Sequence, residues 1–209
     1  PAAYGTGRFT HVVAPFPIPE SWRRFRSFDF GYSRPFSVGW WALDPHGTLV
    51  RYREWYGCTG VPNAGLRLTP TAIARGIAEA ERAHERGLLV TGYADPSIWD
   101  GSRGESIADQ MQREGVYFLP AENARLAGLM QVHRRLEFDA EGRSGVQVFS
   151  TCRDSIRTLP ALSYDAQRCE DVDTQGEDHI YDEWRYLFMA HPLPEAPKPA
   201  PRRRYSPLD

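Results

Sequence analysis

Two apolar, strand-like runs in this chain each end on an aspartate, and a third acidic segment opens a late helical stretch. The first is Ser27-Phe28-Asp29-Phe30-Gly31 and the second Gly92-Tyr93-Ala94-Asp95-Pro96-Ser97. The third, Asp178-His179-Ile180-Tyr181-Asp182-Glu183-Trp184-Arg185-Tyr186, sets two aspartates four residues apart at a helix start. Carboxylates that end neighbouring elements give an all-oxygen donor set, which suits hard cations such as Mg²⁺ or Mn²⁺. Two such ions about 4 Å apart can clamp the attacking and leaving oxygens of a phosphodiester. The three segments therefore point towards metal-dependent cleavage of nucleic acid.

Between these acids the pattern is strand-rich first and alternating afterwards. Arg24–Phe30 reads as a short strand. Phe36–Leu43 and Leu49–Tyr56 flank the turn signal Asp44-Pro45-His46-Gly47 and form a hairpin beside it. Thr69-Pro70 is an N-cap followed by proline at the first helical position, and Gly87 stops the helix that runs to about Arg86. Leu88–Ala94 is a compact strand that delivers Asp95, held extended by Pro96. A helix over Ser106–Glu114, a strand over Val116–Leu119, a helix over Ala124–Leu136, a strand over Gly145–Phe149 and a helix over Cys152–Leu159 follow. The last helix starts near Asp178 and continues to Met189. A hairpin-led sheet followed by such alternation predicts a mixed α/β domain.

On that last helix Ile180, Trp184, Leu187 and Phe188 make one apolar stripe, while Asp178, Asp182 and Arg185 stack on another face. Two readings compete there. Acids at a helix start also serve as caps or as a solvated face; otherwise a bound cation, or Arg185, would offset their repulsion. Likewise Asp29 and Asp95, each taken alone, could simply close a turn.

Composition excludes several classes. The 209 residues suffice for one well-cored domain, and 41% hydrophobic with 25% charged content is that of a globular chain. No apolar run reaches the roughly 18 residues of a membrane span, and no secretory leader is expected. The absence of a starting Met is what an excised domain would show. Cys58, Cys152 and Cys169 are odd in number, far apart and without a C-x-x-C pair, which fits scattered thiols better than disulfides or zinc. The net charge is −2, so charge alone does not announce a nucleic-acid partner. Of 25 basic residues only Lys198 is lysine. Arg34, Arg103, Arg125, Arg134, Arg135 and Arg143 are candidates for bidentate phosphate contacts. The expected organisation is an extended arm over 1–23, one folded domain over 24–190, and a Pro/Arg-rich tail over 191–209 that includes Arg202-Arg203-Arg204.

In this order, strand-end acid, hairpin, helix, strand-end acid and acidic late helix resemble a ribonuclease-H-like fold, in which the first and fourth strands lie side by side. More specifically, the sequence resembles the C-terminal nuclease domain of the large terminase subunit of tailed phages. Phe28-Asp29-Phe30-Gly31 with the Trp40-Trp41 hairpin is similar to its opening strand, and Ala94-Asp95-Pro96-Ser97 to its second acidic motif. Asp178-His179-x-x-Asp182-x-x-Arg185-Tyr186 is similar to the signature of its final helix.

The resemblance spans about residues 24–190. It implies metal-ligand roles for Asp29, Asp95 and Asp182, with Asp178 a further ligand or a supporting group. One ion would sit between Asp29 and Asp182 or Asp178, the other between Asp29 and Asp95. His179 would orient a ligand or touch phosphate, or merely cap the helix. Arg185 and Tyr186 would tie the helix to the sheet. The implied activity is cleavage of double-stranded DNA during genome packaging in the host cytoplasm. The implied partners are an ATPase motor domain, a portal protein and a small terminase subunit. This chain has no G-x-x-x-x-G-K-[ST] loop, so no ATP site is expected in it. Two alternatives stay open: a Holliday-junction resolvase or transposase-like nuclease of the same fold, and a non-catalytic module that docks on the portal.

Overall fold

The computed structural model describes residues 9–102, 104–167 and 170–193. Expectations placed on residues 1–8, Arg103, Cys169 and the tail from 194 onward lie outside the described residues.

Among the described residues seven strands form one mixed sheet: β1 (Val12–Val13), β2 (Arg23–Asp29), β3 (Ser37–Leu43), β4 (Leu49–Tyr56), β5 (Val90–Ala94), β6 (Leu119–Pro120) and β7 (Val146–Phe149). Their order across the sheet is β1-β7-β4-β3-β2-β5-β6. The antiparallel meander β2-β3-β4 comes from two local turns. In the second of these Asp44 Oδ1 accepts from the backbone N–H of His46 and Thr48 at 2.8 Å each, and Gly47 takes a φ of +88° that a side chain would resist. β5 then adds parallel to β2, with Phe28 opposite Ala94. This is the sheet that a ribonuclease-H-like fold requires. β7 and β1 extend it on the other edge, both parallel. Part of the stretch expected to be an extended arm is thus a strand, and Phe16 and Ile18 pack on the core beside it.

Five α-helices among the described residues flank the sheet: α1 (Pro70–His84), α2 (Ile107–Arg113), α3 (Arg125–Leu136), α4 (Arg153–Thr158) and α5 (His179–Ala190). α1 begins where Thr69 Oγ1 accepts from Ala72 N at 3.2 Å, and α2 begins on Ser106 in the same manner. The period-2 alternation of β2 explains the two cores. Arg24, Arg26 and Phe28 face α1, where Arg26 pairs with Glu81 at 2.5 Å. Phe25, Ser27 and Asp29 face α5. Ile73, Ile77, Phe28, Val38 and Trp40 make the first core; Trp41, Leu49, Ile180, Trp184 and Leu187 belong to the second.

The strand expected over Val116–Leu119 starts later, at Leu119, because Arg26 Nη2 takes the Tyr117 carbonyl at 2.8 Å and Val116 is buried in the first core. The strand expected from Leu88 begins at Val90: Arg86 and Gly87 both have positive φ, and Leu89 is 84% exposed.

Candidate functional site

Asp29 is the last residue of β2, and Asp95 follows the last residue of β5. Their predecessors Phe28 and Ala94 are register partners on adjacent parallel strands, so the two acids leave the same sheet edge side by side. Strand spacing puts such neighbours roughly 4.8 Å apart along the backbone. α5 crosses β2, β3 and β5 on the face that carries Asp29. It brings His179, Asp178 and Asp182 to this edge.

The bonds around each acid are specific. Asp29 Oδ2 lies 3.4 Å from His179 Nδ1, whose other nitrogen Nε2 lies 2.9 Å from Asn63 Oδ1. Asn63, in the loop after β4, donates from Nδ2 to the carbonyls of Gln175 and Gly176 at 2.9 and 3.1 Å. Asp178 Oδ1 is 4.0 Å from His179 Nδ1. Asp182 Oδ1 accepts from Arg185 Nη2 at 2.7 Å and Nε at 3.1 Å, and Arg125 Nη1 approaches it to 4.0 Å. Asp95 Oδ1 accepts from Ser97 N at 2.7 Å, and its Oδ2 from Asn123 Nδ2 at 3.3 Å. Arg185 Nη1 donates to the Asn123 carbonyl at 3.0 Å. Asn123 therefore links the acid of β5 to the arginine that holds the acid of α5.

Two bland explanations fail for Asp178. Asp178 occupies the N-cap position of α5 but makes no side-chain capping bond. Nor is the acidic face solvated: Asp178 is 5% exposed and Arg185 2%. The helix is apolar or buried on several sides, Ile180, Tyr181, Trp184, Tyr186, Leu187 and Phe188 all being enclosed.

Burial and mutual repulsion set the electrostatics. Desolvation pushes the Asp29 carboxyl up to about 7, with Asp182 and Asp178 adding to the rise and His179 opposing it. Desolvation and then Asp182 push Asp178 up to about 6. Burial lowers the His179 pKa, but Asp29, together with Asp178 and Asp182, outweighs it and holds the imidazole above its ordinary value. At Asp95 burial raises the pKa, but hydrogen bonds from Ser97, Tyr186 and Asn123 outweigh it and hold the carboxyl below its usual range. The Tyr186 hydroxyl is driven up, first by burial and then by Asp29, Asp182 and Asp95 together. Tyr186 thus senses all three acids at once.

Among the described residues no three His, Cys, Asp or Glu side chains close up as a preformed metal cluster. The donor chemistry nevertheless fits a divalent cation. Buried carboxylates that raise one another's pKa carry more negative charge than their neighbours offset, and hard oxygen donors suit Mg²⁺-like ions.

The arginine candidates divide between the two ends of the sheet. Arg34 is exposed in the turn after β2, and Arg125 opens α3 beside Asp182, where its Nε meets Asp171 at 2.5 Å. Arg134, Arg135 and Arg143 lie at the opposite end, near the starts of β4 and β7. An eight-residue strand such as β4 spans roughly 23 Å between these ends. Arg135 is 2% exposed; it donates to the carbonyls of Gly47, Gly145 and His191. Its guanidinium is committed inside the fold and offers nothing to a phosphate. Arg143 pairs with Asp139 at 2.8 Å and Glu141 at 3.1 Å.

No family model matches this sequence, and no curated protein matches it. Solved structures do match. The large terminase of a thermophilic bacteriophage, in complex with ADP, aligns over 86% of this chain with a TM-score of 0.68 and 22% identity. The nuclease domain of the P22 large terminase aligns over 90% of both chains, with a TM-score of 0.64 and 17% identity. This chain has the fold of the large-terminase nuclease domains. The large terminase nuclease of thermophilic phage G20c, solved with bound cobalt, aligns over 88% of this chain and 90% of its own, with a TM-score of 0.57 and 11% identity. Against the ADP-bound terminase this chain spans 41% of the length.

Asn63 and Asn123 escape a reading of the sequence. Asn63 sits in Gly60-Val61-Pro62-Asn63-Ala64-Gly65 with a φ of +61°, a conformation that asparagine tolerates better than most residues. Only its loop composition could have drawn notice. Asn123 stands two residues before the first residue of α3 and would have been taken for a cap, a position that Ala124 holds instead.

Proposed function

We propose that this domain is a metal-dependent endonuclease that cuts double-stranded DNA during viral genome packaging. One observation carries the reading: Asp29, Asp95, Asp178 and Asp182 reach one sheet edge from three elements, and burial and repulsion raise the pKa of two of them. The fold shared with the G20c nuclease solved with cobalt supports it.

Asp29, Asp95 and Asp182, with Asp178 beside them, would hold the cations, Mg²⁺ or Mn²⁺ by their donor set. When bound, such ions lower the pKa of an attacking water and stabilise the leaving oxygen of the phosphodiester. The chain's other residues prepare the site. Asn63 and His179 fix the direction of Asp29, and Asn123 fixes that of Asp95. Arg185 anchors Asp182 by two hydrogen bonds, from Nε and Nη2, to one carboxylate oxygen. Arg34 and Arg125, at the same end, would be the arginines to meet the DNA backbone. The implied partners are an ATPase motor domain, a portal protein and a small terminase subunit, in the host cytoplasm.

The test is plasmid nicking and linearisation with Mn²⁺, Mg²⁺ or EDTA, beside Asp29→Ala and Asp95→Ala. Cutting that requires metal and is lost in both variants is expected. Cutting that persists in EDTA or in the variants would sink the proposal. Preference for four-way junctions over linear duplex would redirect it to a resolvase.

A further inference from the structure

Glu183 follows Asp182 in the chain but points the other way, into the centre of the domain. It is fully buried, as is Arg51. Its Oε1 accepts from Ser27 Oγ, from Arg51 Nη1 at 2.8 Å and from Trp41 Nε1 at 3.1 Å. Its Oε2 accepts from Arg51 Nη1 at 2.6 Å and from Ser37 Oγ at 3.0 Å. Trp41 Nε1 also donates to Ser27 Oγ at 2.7 Å. The cradle is built to size, since a Cβ at Gly39 would collide with both Arg51 and Glu183. Behind it Arg51 Nε lies 3.4 Å from Glu54 Oε2, and Glu54 accepts the first N–H groups of α4 from Asp154 and Ser155.

The partners of Glu183 stand next to the acids in sequence and in register. Ser27 lies two residues before Asp29 on the same face of β2. Ser37 is the register partner of Asp29 on β3. A slip of α5 by one residue would translate it by about 1.5 Å and rotate it by about 100°. That slip would take Glu183 out of the cradle and leave a buried charge without partners, a severe penalty. An apolar contact in the same place would tolerate sliding; directional bonds to three strands do not.

We propose that Glu183 is a positioning residue. The Ser27–Ser37–Arg51 cradle accepts it in a single register of α5 on the sheet, and that register sets Asp178 and Asp182 against Asp29. The inference rests on the metal-nuclease reading above.

The test measures Mn²⁺ affinity by calorimetry and Tm by thermal melting on the full 209-residue chain. Ser37→Ala removes one hydroxyl of the cradle. The double variant Arg51→Met/Glu183→Met replaces the buried pair by apolar side chains, which often leaves stability intact. Ile77→Val, in the other core, is the control for a plain loss of stability. Both cradle variants should bind Mn²⁺ about tenfold more weakly, as happens when groups that orient metal ligands are removed. The double variant should melt close to the parent, and Ile77→Val should lower Tm with Mn²⁺ affinity unchanged. If the double variant does not fold, Ser37→Ala decides. Parent-like Mn²⁺ affinity in a folded cradle variant would overturn the positioning role alone. A parent that binds no Mn²⁺ would overturn the nuclease reading and the inference with it.

Discussion

The two ends of the sheet use charge in opposite ways. At the end where β2 and β5 finish, carboxylates crowd together, and Asp29 and Asp178 are hard to ionise. At the other end Arg135 reaches three backbone carbonyls and Arg143 pairs with two acids, so positive charge is neutralised or used as a structural clip. The acidic end carries charge that its neighbours do not offset; at the basic end acids offset Arg143, and backbone carbonyls hold Arg135, whose pKa burial lowers to about 10. A fold that tolerates strained charge at one edge, and removes it elsewhere, marks that edge as the place where something else must supply the balance.

The largest effect should come from the strained end. Asp29→Asn is expected to lower metal-dependent cutting by more than the 10–100-fold typical of a supporting group, about two orders of magnitude or beyond, in a plasmid assay. The same variant should not lower the metal-free Tm at pH 8, because it removes a buried carboxylate that is disfavoured there. A large loss of Tm would break the contrast between the ends.

Next comes pH. The Asp29 and Asp178 carboxyls are raised to about 7 and about 6, so between pH 4 and 7 these two groups hold more protons folded than unfolded and outweigh His191, whose pKa burial lowers to about 4 and which acts the other way below about 6.5. Stability must then fall as pH rises through that window. His179, whose pKa is also raised, adds stability at low pH that is lost as pH rises, in the same direction. Metal-free protein should therefore melt higher at pH 5 than at pH 8. Divalent cation should restore part of the difference at pH 8, and Asp29→Asn should flatten the slope. A Tm that climbs from pH 5 to 8 without metal would contradict the electrostatics.

Asn123→Ala sharpens the comparison at an exposed position. It should weaken Mn²⁺ binding by about tenfold with little change in Tm, because Asn123 orients Asp95 by a single hydrogen bond. At the satisfied end, Arg135→Met should cost about 1–3 kcal/mol through carbonyls left unpaired in the interior, read by urea unfolding. Arg143→Ala is the smallest change: DNA affinity and its salt slope should be those of the parent. A reduced salt slope in Arg143→Ala would return that residue to the DNA surface.

Much of this was legible in the sequence for physical reasons that act locally. The Asp44 turn, the Thr69-Pro70 cap and alternation in β2 each follow from short-range rules, and they deliver Asp29 and Asp95 to one edge. The late start of β6 was not legible, because a long-range bond from Arg26 to the Tyr117 carbonyl decides it. The acids of α5 read as a face apart from its apolar stripe. In the fold α5 is enclosed on several sides, so both faces are interior. The arginines were the least legible: residue type advertises phosphate contact, yet Arg51, Arg135 and Arg185 are buried and bonded within the chain. Cradle residues such as Ser27 and Ser37 carry no signature at all, since only the register of β2 on β3 brings them to Glu183.

The most direct test is a crystal of this chain soaked in Mn²⁺, with the ions located by their anomalous scattering. The account predicts density touching Asp29 together with Asp95, Asp178 or Asp182 at the β2–β5 edge. Ions bound only elsewhere, with that edge empty at saturating Mn²⁺, would contradict it.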